Sequence, residues 1–572
     1  LTGYRRRMEF LDARRLTGPN LFGPGPGAIL DVRCGPGESR ALVDCWERHM
    51  AVLLDALGWG PTPTLHRQFI GGLSLVLPAR IDALYAASAI TEWVFALCAA
   101  DLNGSDAPDF DTTLAATKQA IEAEANPALL ALEDAARSRR TPFLWDDDDV
   151  SLGHGRYSQC WPISALPSPE SLQWHRFRQI PLALVTGTNG KTTTVRLAAH
   201  IVRDMGKAVG MSSTESICVN DLVIEKGDWS GPGGARAVLR HEDVEIAILE
   251  TARGGLLRRG LAVNEADVAL ITNVAEDHFG DFASQSLHEL LDIKWIVSHA
   301  VAKHGTLVLN ADDALLVERS KTHPGRIDWF SMDAGHSLVR SHTAQGGRAL
   351  ALSGEQLVMM ENGRRDVICQ VGDIPITLRG AAAHNIANAL AAAAVALRLG
   401  ASLPQVRAGL TSMSPQQNPG RSNLYDVQGF KVLVDFAHNP HAMRALFGIA
   451  RSLPAKRRIL CFGQAGDRTD EQIRDLARSA WAIGLDRIVI SELAAYARGR
   501  GPGEVHAILS DELKRIGARD DQILYFEKES DSFDAALQWA RPGDLVVLLA
   551  LGGNAQVHAR LNALGTERPG AA

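Results

Sequence analysis

From residue 181 onward, short apolar runs rich in β-branched residues alternate with stretches of helical periodicity. The runs LALVT (182–186), VEIAILE (244–250), DVALITN (267–273) and TLVLN (306–310) read as strands, with helices over 191–205 and 285–303. That alternation predicts a mostly parallel sheet wrapped by helices. A second series, KVLVDF (431–436), RILCFG (458–463), DRIVIS (486–491) and DLVVLLA (544–550), predicts a smaller α/β unit. The Ala-rich segment 381–399 is a helix by propensity. Residues 8 to about 140 hold helix-like stretches and no phosphate loop. Between 141 and 169 the pattern breaks into WDDDD (145–149), Gly153, Gly155 and three prolines ending in PSP. This reads as a connector whose aspartates form a solvated face. The expected units are therefore 8–165, 175–415 and 416–565, with no internal repeat.

Composition narrows the class. The 572 residues exceed what one core supports, and 46% hydrophobic with 22% charged residues is an ordinary globular balance. A net charge of -7 gives no general attraction to nucleic acid or anionic membranes, and Arg5–Arg6–Arg7 is a short solvated cluster. The seven cysteines are scattered without a CxxC pair, which indicates neither a disulfide framework nor a zinc ribbon and fits a reducing cytoplasm. No apolar run of membrane-spanning length and no N-terminal h-region is evident. Met8 offers a natural start, an alternative the preceding residues leave open.

The chemistry begins at GTNGKTT (187–193). A strand ends, Gly187 and Gly190 permit a tight turn, and a helix starts near Lys191. Backbone N–H groups at such a helix start favour an anion. Lys191 would reach the β- and γ-phosphates and the Thr192 hydroxyl would hold Mg²⁺. The usual spacing requires glycine at position 185, where Val185 stands. Taken alone, the stretch also fits a Gly-rich turn carrying an exposed lysine.

Further motifs follow: GDWSGPGGA (227–235), ILETARGGLLRRGL (248–261), TNVAEDHFG (272–280), VLNADD (308–313), AHNIANALAAAA (383–394), PGRSN (419–423) and VLVDFAHNP (432–440). Together with the shortened loop they resemble the Mur ligase superfamily, and within it the Mur-type domain of the cyanophycin synthetase family. The resemblance covers most of residues 180–550. It implies a central P-loop parallel-sheet domain, a Rossmann-like C-terminal α/β domain and a smaller α+β domain before them. It also implies an ATP- and Mg²⁺-dependent, amide-forming ligase that joins an amino acid or other amine to a carboxylate or peptide acceptor through an acyl phosphate.

By the same resemblance, Gly187, Thr188, Asn189, Gly190, Lys191, Thr192 and Thr193 cradle the nucleotide. Glu250 is a Mg²⁺ ligand beside Thr192, and His278 binds a second Mg²⁺. Lys294 stands where the family places a lysine carbamylated by CO₂, which would help hold that second metal. Asn385 and Asn388, three apart on one helix face, contact the adenine side. Arg421 contacts the γ-phosphate and Asp435 the ribose as the C-terminal domain closes. His438 and Asn439 lie in the same turn, and Arg468, Arg498, Arg500 and Glu504 are candidates for the amine substrate.

The sequence departs from the family in three places. RRLTGPN (14–20) and LGHGRYSQ (152–159) resemble the starts of the cyanophycin synthetase N-terminal and ATP-grasp domains, yet PSP follows directly and no ATP-grasp body intervenes. One amide bond per ATP is expected, with the acceptor made by a separate ATP-grasp partner. The family's HxxEH reads AITEW (89–93), keeping Glu92 and neither histidine, so no zinc hydrolase is expected there and docking is the expected role of that domain. LAAYA (493–497) replaces the acids that usually precede RGR, which leaves the amine open. The alternative is a catalytically silent nucleotide-binding scaffold or partner subunit. A folylpolyglutamate-type ligase suits ETARGG and RGRGPGE poorly. A cytoplasmic homo-oligomer is expected.

Overall fold

The computed structural model describes residues 8–276, 286–466, 468–551 and 554–566. Among them the chain forms four sheets. The eleven-stranded central sheet has Leu182–Thr186 between Ile246–Glu250 and Ala266–Ile271. Strands from Val209–Ser212 across to Arg348–Ser353 pair in parallel, and antiparallel hairpins extend both edges. Because side chains alternate across a strand, Ala183 and Val185 enter the core on one face while Leu182 and Leu184 enter the core on the other. Helices Lys191–Arg203 and Ala383–Arg398 cover the first face and Leu287–His299 the second.

The C-terminal sheet is parallel from Phe430–Asp435 through Leu545–Leu549, Arg458–Phe462 and Arg487–Ser491 to Ile523–Phe526, with Asn423–Val427 antiparallel at one edge. Apolar clusters lie on both its faces. The α/β architecture of both units agrees with expectation. All eight anticipated strands form, within three residues of the expected bounds except the earlier start of Val301–Asn310.

The N-terminal region is the smaller α+β unit that the resemblance implied, whereas the pattern-based reading saw only helix-like stretches. It is an antiparallel sheet of Glu9–Leu16, Gly27–Arg33, Gly72–Pro78 and Leu65–Phe69, in that spatial order, packed against long helices. Runs such as GAILDVR and GLSLVLP are too short for periodicity to separate buried strand from buried helix. Helix Leu84–Asn103 is long and apolar enough to cross a membrane by length and composition, contrary to expectation; half of that window is buried within this unit. The expected connector contains a small sheet of Phe143–Trp145, Asp149–Leu152 and Gln159–Pro162. Its aspartates are not simply solvated. Asp147 accepts from Arg15 at 2.6 and 2.9 Å and from Tyr85 at 2.9 Å, and Asp146 accepts from Arg240 at 2.5 Å.

This unit docks through two of the sequence motifs. Thr17 N–H donates to Arg259 O at 2.8 Å, Leu261 N–H to Pro19 O at 2.7 Å, and Arg14 Nε to Leu257 O at 2.9 Å. RRLTGPN is therefore seated on the end of ETARGGLLRRGL.

Candidate active site

The phosphate-loop candidate leaves the central strand at Thr186 and enters helix Lys191–Arg203. It is clamped to the turn after the neighbouring strand. Thr188 N–H donates to Asn273 O at 2.9 Å, Asn189 N–H to Asn273 Oδ1 at 3.1 Å, and Thr272 Oγ1 to Asn189 O at 2.6 Å. Gly190 caps the helix at φ 85°, and a Cβ there would run into the Asn388 amide. Only glycine fits both demands. Lys191 Nζ donates to Thr188 O at 3.0 Å, so the ammonium folds over its own loop rather than standing out as a surface lysine.

Thr192 and Glu250 meet at the floor. Thr192 Oγ1 donates to Glu250 Oε2 at 2.8 Å and lies 3.2 Å from Thr214 Oγ1, while Thr214 N–H reaches the same carboxylate oxygen at 3.3 Å. Glu250 is 2% exposed, and its Oε1 is buried without a partner. Burial pushes its pKa up, opposed by the charge of Lys191, the Thr192 bond and Arg421. A buried carboxylate oxygen and a hydroxyl facing a cavity are the hard oxygen donors that Mg²⁺ takes alongside phosphate oxygens and water. Lys294, 3% exposed, reaches the same cavity from helix Leu287–His299. His278 lies outside the described residues.

The opposite wall comes from Ala383–Arg398 and the C-terminal unit. Asn385 Nδ2 donates to Ile376 O at 2.8 Å, and Asn388 Nδ2 to Asn385 Oδ1 at 3.1 Å, which accounts for two asparagines in an alanine helix. Asp435 accepts from Ser422 N–H at 2.7 Å and Oγ at 2.9 Å, and Ser422 Oγ lies 3.2 Å from His384 Nε2. Burial lowers the His384 pKa despite nearby Asp435. Arg421 approaches Glu215 at 3.3 Å and stacks 5.0 Å from the Phe436 ring centre. Thr193 accepts from Asn418 at 3.3 Å.

Asn439 and His441 close the gap between units, bonding the Asn189 side chain at 2.9 and 3.0 Å. The cleft they border has a volume of about 860 Å³. Gly187 through Thr193, Glu250, Lys294, Asn385, Asn388, Arg421, Asp435, His438, Arg468 and Arg498 all line it. Asn439 touches the loop without lining the cavity. Arg500 and Glu504 are not brought to it. Arg500 instead ties Gly466 O, Arg468 O and Asp470 together at 2.9, 2.7 and 2.8 Å, and pairs with Glu504 at 3.0 Å.

Several lining residues carried no assigned role in the sequence. Asp228, Ser230 and Arg253 sit inside quoted motifs, where their chemistry was a usable signal. Tyr496 likewise lies inside the quoted LAAYA, whereas Thr214 and His441 arrive only through the fold.

Comparison with known proteins places this geometry. Residues 185–396 match the Mur ligase middle domain and residues 420–552 the Mur ligase glutamate ligase domain. Cyanophycin synthetases of Geminocystis herdmanii and Trichormus variabilis are 38% and 37% identical over 374 and 375 residues, 65% of this chain in each case. The chain spans only 42% and 41% of their lengths. A UDP-N-acetylmuramoyl-L-alanyl-D-glutamate--2,6-diaminopimelate ligase of Listeria innocua is 24% identical over 385 residues, covering 65% of this chain and 73% of its own. Among solved structures, E. coli FolC in complex with ADP superimposes with a TM-score of 0.50 at 18% identity, over 67% of this chain and 89% of that one, a likeness of fold. Through its middle and C-terminal domains, the chain belongs to the Mur ligase family.

Proposed function

We propose that the protein is an ATP-dependent acid–amine ligase that forms one amide bond per ATP. The observation that carries this reading is the buried Glu250 carboxylate, bonded to Thr192 at a helix start and holding one unpartnered oxygen beside Lys191. A site that only enclosed an organic molecule has no use for a desolvated anion next to an anion-binding turn.

A carboxylate is a poor electrophile and must be activated. In the proposed reaction an acceptor carboxylate oxygen attacks the γ-phosphorus, the bond to the ADP oxygen breaks, and an acyl phosphate forms. The amine then attacks the acyl carbon, phosphate leaves, and the amine proton passes to solvent or a cavity base. The protein's task is to bring two anions together. Lys191 and the N–H groups of the loop take the phosphates from one side and Arg421 from the other. Thr192 and Glu250 would hold Mg²⁺, which would supply charge neutralisation when bound with the nucleotide. Asn385, Asn388 and Asp435 position the nucleoside, and a carbamylated Lys294 would add a further anionic metal ligand. Arg468 and Arg498 bind the carboxylate of an incoming amino acid, with His438 beside them. Closure of the C-terminal domain excludes water, which would otherwise hydrolyse the acyl phosphate.

The test incubates the protein with ATP, Mg²⁺ and pools of amino acids and short acidic peptides, and follows phosphate release and product mass. Release stimulated by an amine–acceptor pair, with a product heavier by one amide condensation, supports the proposal. Lys191→Ala should abolish it without unfolding. Hydrolysis that no pool stimulates favours a nucleotide-binding scaffold.

A further inference from the structure

The N-terminal unit contains a donor cluster that the ligase chemistry does not use. Cys45 and His49 are four apart on helix Pro36–Leu57, and Cys98 and Asp101 are three apart on Leu84–Asn103. Each spacing puts its pair on one helix face, and the two helices pack together. Ligand atoms of Cys45, His49 and Asp101 lie within 4.8 Å of one another. His49 Nε2 is 2.8 Å and Cys45 Sγ 3.6 Å from the same Asp101 oxygen. Cys98 is fully buried one turn before Asp101 on the same helix, and both cysteines are free.

The geometry points to a site for a thiophilic divalent cation, with Cys45, His49 and Asp101 as its ligands and a fourth position left for Cys98 or water. A sulfur, an imidazole nitrogen and a carboxylate oxygen are donors that zinc takes in a four-coordinate site. No CxxC reveals it, because each helix contributes one cysteine. Arg48 Nη2 sits 2.8 Å from Asp101 and 3.3 Å from Cys45 Sγ, placing a cation beside the same two groups. Its side chain is 63% exposed and can swing outward when a metal arrives. A buried thiol alone is an ordinary small apolar residue, which accounts for Cys98 but not for an imidazole and a carboxylate converging on Cys45. Burial holds both thiols above their usual range, so metal must displace their protons. None of the four lines the ligase cavity, so the site acts as a staple between two helices of a small unit.

Cobalt(II) is the probe. Full-length protein is stripped with chelator, titrated with cobalt(II), and back-titrated with zinc. The expected result is the intense absorption of tetrahedral, thiolate-bound cobalt, bleached by zinc. Cys45→Ser and His49→Gln should each weaken cobalt binding at least ~10-fold, the low end of what loss of a less direct partner costs. His49 is partly exposed, so its substitution does not threaten the fold, and circular dichroism checks both variants. Only the weak spectrum of octahedral cobalt in the wild type, or a thiolate band unchanged in either variant, overturns the site. Neither outcome depends on ATP or ligation.

Discussion

Thr192 and Glu250, 58 residues apart in sequence, share a 2.8 Å hydrogen bond that leaves the other Glu250 oxygen buried and unpartnered. The account assigns that oxygen to a cation. Glu250→Gln keeps the shape and removes the charge, so turnover should fall by ~10² or more. The protein without nucleotide should melt no lower than the wild type, because the cost of burying a charged carboxylate has been removed. Thermal shift with and without Mg²⁺–ATP checks both parts: the ligand-induced rise should shrink in the variant.

Gly190→Ala tests the cradle separately. The position has φ 85° and a Cβ there meets Asn388, so strain and collision together should cost about 1–3 kcal/mol. Nucleotide affinity should drop further than stability, measured by calorimetry against the melting temperature.

Asn189 joins the two domains through Asn439 and His441. Each such bond contributes roughly 1 kcal/mol. Asn189→Ala should therefore loosen closure, raise the radius of gyration in small-angle scattering, and lower kcat/KM at least several-fold. The melting temperature should change little, since no core residue is touched.

His154, in LGHGRYSQ, is fully buried, its Nδ1 lacks a partner, and burial pushes its pKa down to about 4. Folded protein then binds fewer protons than unfolded chain between the ordinary value of 6.5 and about 4, so stability is lost as pH falls through that window. The contribution is on the order of 3 kcal/mol. His154→Gln should flatten that part of the stability–pH curve, measured by urea denaturation at several pH values.

The parallel sheets were legible because each strand is a contiguous apolar run between turn signals, and LALVT–GTNGKTT gives both strand and cradle. The N-terminal sheet was not, since short apolar runs there carry no period. The site was legible where its chemistry sits in local motifs, as for Lys191, Glu250 and Asp435. Thr214 and His441 take their places only through pairings across the fold. The convergence of Cys45, His49 and Asp101 was hidden for the same reason: two helix faces create it. Arg500 looked like a substrate residue by its motif, but in the fold it braces the loop around Gly466.

The central claim, transfer of the γ-phosphoryl group to a carboxylate, is tested most directly with ¹⁸O-labelled acceptor carboxylates in the ligation reaction. The account predicts that one labelled oxygen from the activated carboxyl leaves in the inorganic phosphate for each amide formed. Unlabelled phosphate released alongside product, or phosphate released with no product at all, contradicts it.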